Sequence, residues 1–232
     1  MKFHRLIIFV IPIAAGTGVL FINSFAAGSP RADAVRGAGI VATGADYGVV
    51  ACARCHAFDG TADGSGAFPK LSGMSAYYLE KQLRDFASGS RSDPIMSAIA
   101  RKMKPEDIAD VSAYYSGVHG TPTPAPAATP ELLALGTRLA TVGDEDRKIQ
   151  ACEGCHGPHG RGEDPAIPPL AGQYAHYIAF QMRMWQMGYR KNDANQQMAT
   201  IAKRLGPQDI EAVGLYFERL PQPDFPKNRR QP

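Results

Sequence analysis

Cys52-Ala-Arg-Cys55-His56 recurs one hundred residues further on as Cys152-Glu-Gly-Cys155-His156, and these four cysteines are the only ones in the 232-residue chain. Downstream of each motif the same residues return in the same order. Leu71-Ser-Gly73 is answered by Leu170-Ala-Gly172. Tyr78, Gln82, Gly89 and Arg91 are answered by Tyr177, Gln181, Gly188 and Arg190, and Met96, Ile99, Ala100, Asp107 and Ile108 by Met198, Ile201, Ala202, Asp209 and Ile210. The offset drifts from 100 to 99 to 102, as expected of one structural unit present twice with short loop insertions. Between the copies, Gly117 to Pro130 holds four prolines and no large apolar residue after Val118. Such a stretch is semi-extended and builds no core. The chain therefore divides into a first domain at 31–118, a proline-rich linker at 119–129, a second domain at 130–222 and a tail at 223–232.

The periodicity inside each copy is helical. Leu79, Leu83 and Phe86 are spaced i, i+4, i+7, and Ile178, Met182 and Trp185 keep that spacing, which predicts an amphipathic helix in both. Gly89 and Gly188 stand where such helices stop. Pro105 and Pro207 open a last helix, since proline suits a first turn whose N–H has no partner. Glu106, Asp107 and Asp209 then favour the positive end of the helix dipole. The buried stripes of these helices are Ile108, Val111, Tyr115 and Ile210, Val213, Phe217. Shorter helices at about 32–43 and 130–142 precede the motifs, with Gly39 and Gly136 small enough to admit a crossing helix. No stretch alternates as a strand does. Each domain reads as three or four short helices joined by loops, all-α, with a core too thin to stand without a large apolar filler.

Residues 1–27 form a separate unit. Lys2, His4 and Arg5 precede an apolar run from Leu6 to Phe21 that weakens toward Ala27, the pattern of an export segment, either a cleaved signal peptide or a membrane anchor. The cation bias keeps the N-terminus in the cytoplasm and sends the rest across, so the expected location is the periplasm, with membrane association through residues 6–27 if the segment is retained. The formal charge is only +3. Basic residues are scattered apart from Lys227, Arg229 and Arg230, which is not the basic, aromatic-laced surface of a nucleic-acid-binding protein.

A Cys-x-x-Cys-His turn supports three chemistries. Zinc wants four ligands, and neither domain has further cysteine. A redox dithiol expects a strand-to-helix setting in an α/β fold, which neither copy offers. Covalent haem c attachment needs only what is present: Cys52 and Cys55, or Cys152 and Cys155, as thioether anchors, and His56 or His156 as the proximal iron ligand. A carrier haem needs its other axial face filled, and methionine is the partner that raises the potential. Among Met74, Met96, Met103, Met182, Met184, Met187 and Met198, only Met96 and Met198 are methionine in both copies, each about 40 residues after its histidine. Pro69 and Pro168 offer carbonyls that fix the proximal imidazole, or are turn prolines. His119, His159 and His176 have no repeat partner, and His159, though close to a motif, reads as a solvated loop residue rather than a ligand. Arg91 and Arg190 read as exposed surface arginines, with contact to haem propionates the alternative.

With these residues in place, the chain resembles the di-haem cytochrome c4 family, tandem class I cytochrome c domains. The likeness runs through both Cys-x-x-Cys-His motifs, Phe68-Pro-Lys-Leu-Ser-Gly73, Tyr78 to Phe86, Met96 and Pro105 to Tyr115, and it covers 31–222. Three departures stand out: Ala57 where a glycine commonly follows the motif, and Lys104 and Gly206 where a serine or threonine often caps the last helix. The resemblance implies two covalently bound haem c groups ligated by His56 and Met96 and by His156 and Met198, with no catalytic residues. It also implies electron transfer between a donor complex and an acceptor such as a terminal oxidase. A fixed cytochrome subunit of a membrane oxidoreductase is the alternative, and a di-haem peroxidase a more distant one.

Overall fold

The computed structural model describes residues 32–223; residues 1–27, expected to be an export segment, and all but the first residue of the tail at 223–232 lie outside them. The first repeat contains α1 (Ala34–Thr43), α2 (Ala53–His56), α3 (Ala76–Ser88), α4 (Met96–Ala100) and α5 (Pro105–Ser116). The second contains α6 (Pro130–Thr141), α7 (Glu153–His156), α8 (Ala175–Gln186), α9 (Gln197–Ala202) and α10 (Pro207–Glu218). Ahead of the motif each repeat turns back on itself, through the single antiparallel bridge Ala45–Val49 in the first and a two-residue ladder in the second. Strands β1 (Gly143–Asp144) and β2 (Ile149–Gln150) pair antiparallel between α6 and α7, forming the only sheet among the described residues.

In each domain the first helix crosses the last, α1 on α5 and α6 on α10. The crossing is built on a glycine. A Cβ added at Gly37 would sit 2.2 Å from the Asp110 carbonyl oxygen, and one at Gly136 would sit 2.2 Å from that of Ala212. The sequence reading named Gly136 correctly but paired it with Gly39, which is exposed with nothing near it. Gly37, two residues earlier, meets α5. The expected stripes are buried: Ile108, Val111 and Tyr115 on α5, Ile210, Val213 and Phe217 on α10, Leu79 and Phe86 on α3, and Ile178, Met182 and Trp185 on α8; Leu83 on α3 is only partly buried. They close two cores, one per domain.

Local hydrogen bonds set the helix ends. Asp33, Ser75 and Thr129 accept from the first-turn N–H groups of α1, α3 and α6, each satisfying an orphan donor. At α5 and α10, Lys104 and Gly206 offer no side-chain acceptor. The third helical residue compensates: Asp107 Oδ2 accepts from the Lys104 N–H at 3.4 Å, and Asp209 Oδ2 accepts from that of Gly206 at 2.8 Å. Both carboxylates are buried and paired with arginine, Asp107 with Arg36 and Asp209 with Arg147, each at 2.6 Å.

The two repeats close on one another through polar groups. Gln173 accepts from the Lys70 N–H and donates to the Lys70 carbonyl, both at 3.0 Å. Tyr174 donates to the Thr61 carbonyl at 2.6 Å, and Ser75 to that of Pro165 at 2.6 Å. The linker has no regular secondary structure, as its prolines predict, yet it is tied down. Thr121 donates twice to Asp59, Lys70 donates to Thr123 at 2.8 Å, and Arg219 donates to the Pro126 carbonyl.

Candidate haem-binding clefts

Each Cys-x-x-Cys-His motif folds as one helical turn. The Cys52 carbonyl accepts from the N–H groups of Cys55 at 3.2 Å and His56 at 3.0 Å; in the second copy the Cys152 carbonyl accepts from Cys155 at 3.2 Å and His156 at 2.9 Å. Helical positions three and four apart share a face, so both sulfurs and the imidazole address the same space. No disulfide joins the cysteines. Burial pushes the Cys52 and Cys152 thiols up to about 11, the opposite of the depressed value a redox dithiol needs.

The motif histidines are fixed by the proline carbonyls, one of the two readings open from sequence. His56 and His156 are buried, with Nδ1 at 3.2 Å from the Pro69 carbonyl oxygen and 2.8 Å from that of Pro168. A carbonyl only accepts, so Nδ1 carries the proton and Nε2 keeps its lone pair. Burial holds both imidazoles below the ordinary histidine pKa, outweighing the opposite pull of these carbonyls. Neutral imidazole with a committed Nδ1–H is the form that ligates iron.

His56 faces a cleft of about 1330 Å³, the open space at its mouth included, lined also by Cys52, Cys55, Leu79, Met96 and Tyr115. His156 faces a narrower cleft of about 450 Å³ that includes Met182, Trp185 and Met198. The structure thus places the matched methionines with their own histidines. Met103 also lines the first cleft and Met182 the second, but both belong to the buried cores. Met74, which has no methionine partner in the second repeat, is buried and borders both clefts. His119, His159 and His176 are exposed; His176 lies in the first turn of α8 and His159 in a short turn after α7.

Arg91 and Arg190 correct the sequence reading. They are 6% and 7% exposed, not surface residues. Their backbones pair across the domain boundary as an isolated antiparallel bridge. Arg91 donates to Gln82 at 2.9 Å and, across the boundary, to Tyr177 and Gln181 at 2.8 Å each. Arg190 donates to Gln181 at 2.7 Å, to Asn192 at 3.0 Å and, across the boundary, to Tyr78 and Gln82 at 3.3 Å each. Each guanidinium lies over an aromatic ring, Arg91 over Phe86 at 4.4 Å and Arg190 over Trp185 at 4.1 Å. Exposure was inferred because arginine is seldom buried; the usable signal was that tyrosine, glutamine and arginine recur together in both repeats.

These residues fit two haems. Every hydrogen-bond acceptor named for the two guanidinium groups is neutral, so two buried positive charges border the clefts without a directly bonded anion. A haem brings carboxylates. The clefts also hold buried polar groups without partners, Ser112 Oγ in the first and Trp185 Nε1 in the second. Such orphans cost about 1–3 kcal/mol each when unsatisfied, which points to a group still to be accommodated. The cysteine pairs would hold each haem by its vinyl carbons, and the histidines would hold the iron.

Comparison with known proteins agrees. The cytochrome c family model matches residues 34–118 and 146–220, once per repeat. The chain is 39% identical over 179 residues to a thiosulfate dehydrogenase electron acceptor from Stutzerimonas stutzeri, covering 77% of this chain and 83% of that one. It is 36% identical to cytochrome c4 of Stutzerimonas stutzeri, covering 74% and 85%. The crystal structure of reduced cytochrome c4 from Pseudomonas stutzeri superposes with a TM-score of 0.72 at 34% identity, over 82% of this chain and 99% of that one. A thiosulfate dehydrogenase structure from Marichromatium purpuratum superposes at 0.76 and 37% identity, over 81% of this chain and 40% of that longer one. The chain therefore belongs to the cytochrome c family, as a tandem di-haem electron-transfer cytochrome of the cytochrome c4 type with one covalent haem c in each repeat.

Proposed function

We propose that this cytochrome is exported to the periplasm, takes electrons from a dehydrogenase of small inorganic sulfur compounds such as thiosulfate, and delivers them to a terminal oxidase. We propose further that His56 with Met96, and His156 with Met198, are the axial ligands. The observation that carries the ligand assignment is the pairing within each cleft of a neutral, carbonyl-anchored histidine with the one methionine its repeat partner also has. Support for the donor comes from relatives described as thiosulfate dehydrogenase electron acceptors. Support for export comes from the basic and apolar residues 1–27.

When bound, each haem would supply reversible one-electron chemistry. The chain's own residues hold that exchange to small rearrangements. The Pro69 and Pro168 carbonyls hold the imidazole rings, and the cysteine pairs would tether the macrocycle. Apolar side chains such as Leu79, Phe86, Ile178 and Met182 line the clefts and keep water from reorganising around the changing charge. Met96 and Met198 line the same clefts and would supply the second iron ligand.

A fixed-subunit role is the second reading. It is favoured by the thiosulfate dehydrogenase structure in which the matching region is 40% of a longer chain. The test is to mix oxidised holoprotein with a purified thiosulfate dehydrogenase and thiosulfate and follow haem reduction. Rapid reduction of both haems that requires the dehydrogenase supports the proposed donor; no reduction above the thiosulfate-only control refutes it. Co-purification at fixed stoichiometry with a membrane oxidoreductase, released only by detergent, would select the fixed-subunit role.

A further inference from the structure

The polar junction between the domains is nearly two-fold symmetric: tyrosine, glutamine and arginine from each repeat bond across to the other. The ring beneath each arginine breaks that symmetry. Phe86 underlies Arg91, whereas Trp185 underlies Arg190. Trp185 is the chain's only tryptophan, 8% exposed, and its Nε1–H is buried with no hydrogen-bond partner. The same indole lines the second cleft beside Arg190. A buried indole normally finds an acceptor. Arg190, whose nitrogens are spent on Gln181, Asn192, Tyr78 and Gln82, is a cation without a bonded anion. A carboxylate satisfies both needs at once. Ser112, the orphan in the first cleft, sits on α5 just beyond the point where Gly37 crosses it at Asp110 and Val111, and it has no aromatic N–H to offer.

We propose that Trp185 is a positioning residue for the second haem, its Nε1–H donating to a haem carboxylate that Arg190 attracts, and that the first haem lacks this donor because Phe86 occupies the matching place. The inference rests on the second haem occupying the cleft beside His156, not on Met198 being its ligand. A donor on the carboxylate withdraws negative charge and favours the ferrous state. Its loss, at a pH where the carboxylate is ionised, therefore lowers the potential of that haem alone.

The test uses the holoprotein and W185F, which places in the second repeat the ring the first already carries. In a potentiometric titration, W185F is expected to shift one of the two one-electron steps by about threefold in its equilibrium constant, roughly 28 mV at 59 mV per decade, leaving the other in place. In the reduced wild-type holoprotein, the lone indole N–H proton is expected to resist exchange with deuterated solvent and to show Overhauser contacts to the propionate methylenes of one haem. Both steps unmoved, or both lowered alike, overturns the proposal, as does an indole proton that exchanges freely or lies far from any propionate. The proton measurement needs no variant, so the proposal remains falsifiable if W185F fails to load haem.

Discussion

The two repeats share a scaffold and differ in how they finish it. Both cross their first and last helices on a glycine, anchor a neutral histidine on a proline carbonyl, and send an arginine into the common boundary. The carboxylate at the start of the last helix recurs as well, but its arginine does not. Arg36 comes from α1 in the first domain, and Arg147 comes from the β1–β2 turn in the second. The surroundings of the clefts differ too. Val50 and Ile95 line the first and are exposed, whereas the residues matching them, Gln150 and Gln197, are polar and also exposed. Packing and iron chemistry are repeated; charge pairing and surface are composed separately for each copy. The shared parts should therefore respond alike to mutation, and the unshared parts differently.

The helix crossings should give the largest effect. Gly37→Ala and Gly136→Ala each force a methyl group into backbone carbonyl, costing about 3 kcal/mol, read by denaturant unfolding of the holoprotein. A gap of more than about 2 kcal/mol between them, beyond the context scatter of overpacked sites, would break the equivalence of the two crossings. The boundary arginines come next. Arg91→Met and Arg190→Met each strand acceptors on both domains and should cost about 2 kcal/mol. A loss confined to one variant would show that the junction is symmetric in geometry but not in energy.

Smaller effects test the differences. Ala57 holds φ 57° and ψ 166°, and Gly157 holds φ 72° and ψ 164° at the matching position. That region is nearly reserved for glycine. Ala57→Gly should stabilise the first domain by about 1 kcal/mol and Gly157→Ala should destabilise the second by a similar amount, both visible as opposite shifts in melting temperature. The smallest concerns the linker, which has no second copy. Burial pushes the Asp59 carboxyl up, but hydrogen bonds from Thr61 and Thr121 prevail and hold it below the ordinary carboxylate value. A depressed carboxylate stabilises above its unfolded pKa, and that contribution is lost as pH falls through the folded one. Proteolytic nicking at 119–129 should therefore rise as pH drops below about 4, and Asp59→Asn should nick equally at all pH values.

Much of this was legible in sequence because the repeat acts as an internal control. Two independent placements of Met96 and Met198 narrowed seven methionines to two, and helical spacing gave the buried stripes. What escaped it depends on three dimensions. Gly39 and Gly37 are both small and close in sequence, and only the direction of α5 selects Gly37. The domain boundary buries Arg91 and Arg190 because each donates to the tyrosine and glutamine of the opposite repeat, a fact absent from either repeat alone. Asp209 finds Arg147 only once the β1–β2 turn folds back, and the sequence there shows no strand alternation.

The central claim is that each cleft closes its iron with its own histidine and methionine. The direct measurement is the visible spectrum of the reduced holoprotein with and without carbon monoxide, for wild type, Met96→Ala and Met198→Ala. The account predicts no change in wild type and a carbon monoxide adduct on half the haem in each variant. Adduct formation on half the haem of the wild type, unaffected by one of the substitutions, would contradict it.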